Sequence, residues 1–160
     1  MLAFLMAKPS DLPGNFIALR MSIIAALSTY LLAGSLASGG NWIVLPALFD
    51  LGLAGVCFYA ALNWWGSPER FIQAFGAYCG VTAVLNIASI VMLPAMPSGT
   101  ETLDLNVIQM ASYFVYLVWG ITVFAHILRF TFNLTIPISI AVATSFLLMN
   151  IFLLQTLFPL

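Results

Sequence analysis

One acidic side chain, Asp50, lies well inside an apolar run, between Pro46-Ala47-Leu48-Phe49 and Leu51-Gly52-Leu53-Ala54. A carboxylate at the centre of a bilayer costs at least ~2.5 kcal/mol on insertion scales and somewhat less near the boundary, so Asp50 must face protein or water, or hold a proton. Two roles are open to it: a structural clamp with a polar group on a neighbouring helix, for which Asn86 is the expected partner, or the handling of a proton, an ion or a substrate. Other reactive groups are few. Cys57 and Cys79 sit in apolar segments and read as free thiols in contact, not as a disulfide. His126 and Arg129 are three apart, beside the level of Glu69, Arg70 and Gln73, and His126 reads as a packed or interfacial residue in preference to a catalytic one. No His, Cys, Asp or Glu grouping has metal-ligand spacing, and no Gly-rich phosphate loop or CxxC occurs. The single histidine excludes bis-histidine haem ligation within one chain. No metal or cofactor is expected, and an enzyme is the class with least support.

The elements that must position these residues are membrane helices. At 63% hydrophobic and 6% charged, with a mean hydropathy of +1.12, the 160-residue chain lies far outside the range of soluble domains. The net charge of −1 offers no basic surface for nucleic acid. Met1 to Ala7 is too short an apolar stretch to span and lacks the cationic start and cleavage site of a secretory signal. Five spans follow, over about 14–37, 41–63, 68–93, 103–129 and 136–158, as a single transmembrane domain. Stops at Ser38-Gly39-Gly40-Asn41 and at Pro94 and Pro97, with starts at Ser67-Pro68 and Pro137, set their limits. The fold class is an all-α polytopic bundle.

The second and third spans form a hairpin. Trp42 and Trp64 bracket about 22 residues, or ~33 Å at about 1.5 Å per residue, which matches a bilayer core; with Trp65 they read as interface anchors. Ser67 can cap the third span, Pro68 suits its first position, and Glu69 favours the positive end of the dipole. Folding the chain about Pro68 sets Ala61 against Gly76, Cys57 against Cys79 and Gly80, Ala54 against Thr82 or Ala83, and Asp50 against Asn86. Gly76 and Gly80 form a GxxxG that would let the partner backbone approach closely. The expected result is a small-residue seam between these two helices.

With five spans, Lys8, Arg20, Arg70 and Arg129 fall on the side of the amino terminus, opposite Glu101 and Asp104. The positive-inside rule then places the amino terminus in the cytoplasm and the carboxyl terminus outside. Counting at about 1.5 Å per residue, Tyr30, Asp50, Asn86, Tyr113 and Asn150 all lie roughly 10 Å from the outer boundary, one from each helix. They could form a buried polar layer, or some could face lipid and headgroups, as tyrosines do.

Four stretches carry a resemblance: Lys8-Pro9-Ser10-Asp11-Leu12-Pro13, Pro46-Ala47-Leu48-Phe49-Asp50, Pro68-Glu69-Arg70-Phe71-Ile72-Gln73 and His126-Ile127-Leu128-Arg129. Together they resemble a family of small proteobacterial inner-membrane proteins, over most of the chain. Five spans with a cytoplasmic amino terminus are also distantly similar to Yip-domain membrane proteins, which carry a longer soluble amino-terminal region. That comparison implies an interaction or bilayer-organising role by architecture alone. The leading expectation is therefore a noncatalytic inner-membrane scaffold or accessory subunit that binds another integral membrane protein or a copy of itself through small-residue helix faces. The alternative is a small oligomeric transporter or channel that uses Asp50 and Asn86 as its polar site.

Overall fold

The computed structural model describes Pro9 and residues 14–38, 44–92 and 107–158. Among these residues all regular structure is helical: α1 Phe16–Ser38, α2 Val44–Trp64, a 3-10 turn Pro68–Arg70, α3 Phe71–Met92, α4 Val107–Phe132 and α5 Ile136–Leu157. Each of the five helices is long and apolar enough to cross a membrane, so the chain is a multi-pass membrane protein. The starts expected at 41 and 103, Trp42, and the loop with Glu101 and Asp104 lie outside the described residues.

Local chemistry explains the observed ends. Pro46 falls in the first turn of α2, where its missing N–H breaks no helical bond. Gly66 adopts a positive φ of 71° between Trp65 and Ser67, a conformation glycine enters without steric cost. Ser67 makes no side-chain cap; its carbonyl instead accepts from the Arg70 N–H at 3.2 Å, which closes the 3-10 turn ahead of α3. α4 continues to Phe132, past the expected end at 129, and stops where Asn133 turns left-handed (φ 54°) and the Leu134 N–H donates back to the Arg129 carbonyl at 3.1 Å.

α3 is the most deeply buried of the five helices, and its closest partner is α1, not α2. Gly76 faces Leu19 of α1, Gly14 faces Gln73, and the Asn86 Nδ2 donates to the Thr29 Oγ1 at 3.4 Å. These contacts join residues 57 to 59 positions apart, so α1 and α3 run parallel in a constant register. The expected α2–α3 seam is thus corrected. Gly76 admits α1, and a Cβ at Gly80 would meet nothing within 4 Å. The close approach between α2 and α3 occurs at Gly55, where a Cβ would come within 3.3 Å of the Phe75 ring.

That contact belongs to an aromatic layer joining four helices. Phe58 of α2 meets Phe75 and Tyr78 of α3 and Phe124 of α4, and Phe124 meets Phe146 of α5, with ring centroids 5.3 to 6.4 Å apart. In lipid there is little hydrophobic drive for helices to associate, so close packing of this kind carries the cohesion, at about 0.5–1.5 kcal/mol per aromatic pair.

Candidate functional site

Asp50 stands seven residues into α2 and Asn150 seven residues before the last residue of α5. Both therefore lie roughly 10 Å inside the same end of the bundle, at about 1.5 Å per residue. The two are buried, at 8% and 7% exposure, and the Asn150 Nδ2 donates to the Asp50 Oδ1. The expected Asp50–Asn86 pair is a second correction: Asp50 clasps α5, and Asn86 donates to Thr29 of α1. Depth follows from residue count along a hairpin. The choice of partner at that depth depends on the rotation of each helix about its axis, which spacing does not give.

The clasp forms one wall of a cavity of about 290 Å³ between α2, α3, α4 and α5. Asp50, Asn150, Asn86, Thr82, Tyr78 and Tyr116 supply its polar groups; Leu85, Gly120, Ile121, Phe124, Ala143, Phe146 and Leu147 are among the apolar ones. Leu117 and Ile151, 44% and 41% exposed, stand at its edge on the outer surfaces of α4 and α5. In a bundle sheathed by lipid, that edge opens sideways toward acyl chains.

Several polar side chains around the cavity already make hydrogen bonds. The Tyr116 hydroxyl donates to the Leu85 carbonyl at 3.2 Å, and Asn86 donates to Thr29. The Asn150 Oδ1 is buried and has no hydrogen-bond partner. A buried polar atom left unpaired costs about 1–3 kcal/mol, a local penalty carried by the clasp.

The five residues expected at one depth divide. Asp50, Asn86 and Asn150 wall the cavity; Tyr30 of α1 is half-buried and within electrostatic reach of Asp50. Tyr113 is half-buried but not among the lining residues, and Tyr116, one turn further along α4, takes that place. Thr29, Tyr78 and Tyr116 were not expected here, and Thr82 was expected only in the α2–α3 seam. A signal existed for two of them, since Thr82 and Asn86 are four apart on one face of α3 with Tyr78 four before.

The expected packing residues are largely internal. Ala54, Gly76, Cys79 and Ala83 are buried, and Ala61 packs against the core. Both cysteines are free thiols. Cys57 and Ala61 wall a second, wholly apolar cavity of about 250 Å³ with Trp65, Phe124, Leu128 and Phe132, whereas Cys79 is completely buried. At the other end of the bundle, Glu69 and Arg70 are exposed, and an Arg70 guanidinium nitrogen (Nη1) donates to the Thr131 carbonyl at 3.3 Å. The His126 ring meets Phe130 edge-on at 4.7 Å, with the Arg129 guanidinium 5.3 Å from the same ring. His126 and Arg129 thus converge on Phe130.

Comparison with protein-family models, with curated proteins and with solved structures found no match to this chain.

Proposed function

We propose that the protein is a small noncatalytic transporter of the bacterial inner membrane, with its amino terminus in the cytoplasm, that takes a small solute at the Asp50 cavity. The observation that carries this reading is the buried Asp50–Asn150 pair on the wall of a cavity between four membrane-spanning helices. Ionisable side chains within a membrane span are costly and rare, and they are found at pathways for protons, ions or substrates. The orientation rests on Arg20, Arg70 and Arg129, which share one end of the bundle. Proteoliposomes loaded with a pH-sensitive dye test the reading: a protein-dependent flux lost in Asp50→Asn, with the variant still folded, is the expected result. Equal flux from wild type and variant overturns it.

A second reading, a scaffold or accessory subunit that binds another integral membrane protein or a copy of itself, draws on Gly52. This glycine is exposed on α2 between the exposed Leu48 and Val56, and a Cβ there would meet nothing within 4 Å. Such a gap lets a second helix approach closely. Loss of a copurifying partner or of self-crosslinking in Gly52→Leu, with flux unchanged, favours this reading.

A further inference from the structure

We propose that the Asp50 cavity binds the head of a lipophilic primary amine in its ammonium form, with the alkyl chain left in the bilayer; the inference rests on the transporter reading above. Its geometric basis is a carboxylate in the wall of the cavity that accepts from a single donor. The Asn150 Oδ1 is buried without a partner, and among the described residues Asn150 is the only donor to Asp50. Each polar side chain nearby makes a bond of its own: Tyr116 to Leu85, Asn86 to Thr29, Asn150 to Asp50. A ligand matched to this carboxylate brings N–H or O–H groups of its own.

Charge narrows the class. Arg20, Arg70 and Arg129 lie at the end where α1 and α3 begin and α4 ends, while Asp50 lies near the opposite end. Among the described residues, therefore, no cationic side chain stands at the level of Asp50. An ammonium group supplies both the missing charge and three donors, and charge-assisted hydrogen bonds are about twice as strong as neutral ones. Tyr78, Phe124 and Phe146 add aromatic rings to the lining, and aromatic rings attract cations most strongly where water is excluded. The chain's route is set by Leu117 and Ile151, the exposed apolar side chains at the edge between α4 and α5. A cavity of about 290 Å³ holds the head and the first methylenes, and the remaining tail lies among lipid chains.

Three probes with the same tail separate the contributions. Dodecylammonium carries charge and N–H donors, dodecyltrimethylammonium carries charge alone, and 1-dodecanol carries a donor without charge. Binding of radiolabelled dodecylammonium to the full chain in maltoside micelles, with the other two as competitors, is expected to show the primary amine about tenfold tighter than either analogue. Asp50→Asn, which keeps an oxygen for Asn150 to bond, is expected to abolish that preference without lowering the unfolding temperature of the ligand-free protein. If 1-dodecanol or the trimethyl compound competes as well as the primary amine does, the ligand class is wrong although the cavity still binds. If Asp50→Asn binds all three probes as wild type does, the cavity is not the site, and the transporter reading falls with the inference. The ordering of the three probes on the wild-type protein decides the ligand class even if the variant fails to fold.

Discussion

The Asp50–Asn150 pair is the only described side chain to side chain bond between α2 and α5, helices with few other contacts. Removing one partner is worse than removing both, because the survivor is left buried and unpaired. Asn150→Leu is expected to lower stability by about 1–3 kcal/mol, measured by thermal unfolding in mild detergent. The double variant Asp50→Leu/Asn150→Leu should recover most of that loss, and a cycle of these substitutions should show coupling well above that of distant sites. Additive effects would mean that the clasp contributes nothing as a pair. The sequence made Asp50 conspicuous, because a lone carboxylate in an apolar run has to be accommodated. It could not single out Asn150, since Asn86 lies at the same depth and both are amides.

At the scale of the helix, glycines decide which faces approach. Gly55 has the Phe75 ring 3.3 Å from where a Cβ would sit, whereas Gly80 has open space. Gly55→Leu is expected to force Phe75 out of its stack with Phe71 and Tyr78, at a cost of about 1–3 kcal/mol. Gly80→Ala should be neutral or slightly stabilising, since alanine is the better helix former. The measurement is again the unfolding midpoint, and the reverse order would contradict the packing described. The five helices and most of their limits were legible from hydropathy, Trp64, Pro68 and Pro137. The role of the GxxxG was not, because a motif of this kind announces a close neighbour without naming it. Gly76 takes Leu19 of α1, a parallel partner that the hairpin about Pro68 could not reveal.

At the scale of the whole molecule, two crossings separate the start of α1 from the Gly66 turn and two more separate that turn from the Asn133 turn, so all three lie on the same side of the bilayer. Trp65 at the foot of α2 meets Phe132 at the end of α4, with ring centroids 5.9 Å apart, and Arg70 reaches the Thr131 carbonyl, so the two turns are also neighbours. A single cysteine placed at Ser67 or at Asn133, in a chain with Cys57→Ala and Cys79→Ala, should therefore show the same sidedness toward a membrane-impermeant maleimide. With the basic end inward, both should be protected in intact cells and labelled after permeabilisation, whereas a cysteine at Phe158 should be labelled in intact cells. Labelling at 67 and 133 from opposite sides would break the five-helix count itself. Labelling of both from outside would leave the bundle intact and reverse it, placing the Asp50 cavity roughly 10 Å beneath the cytoplasmic boundary instead of the external one.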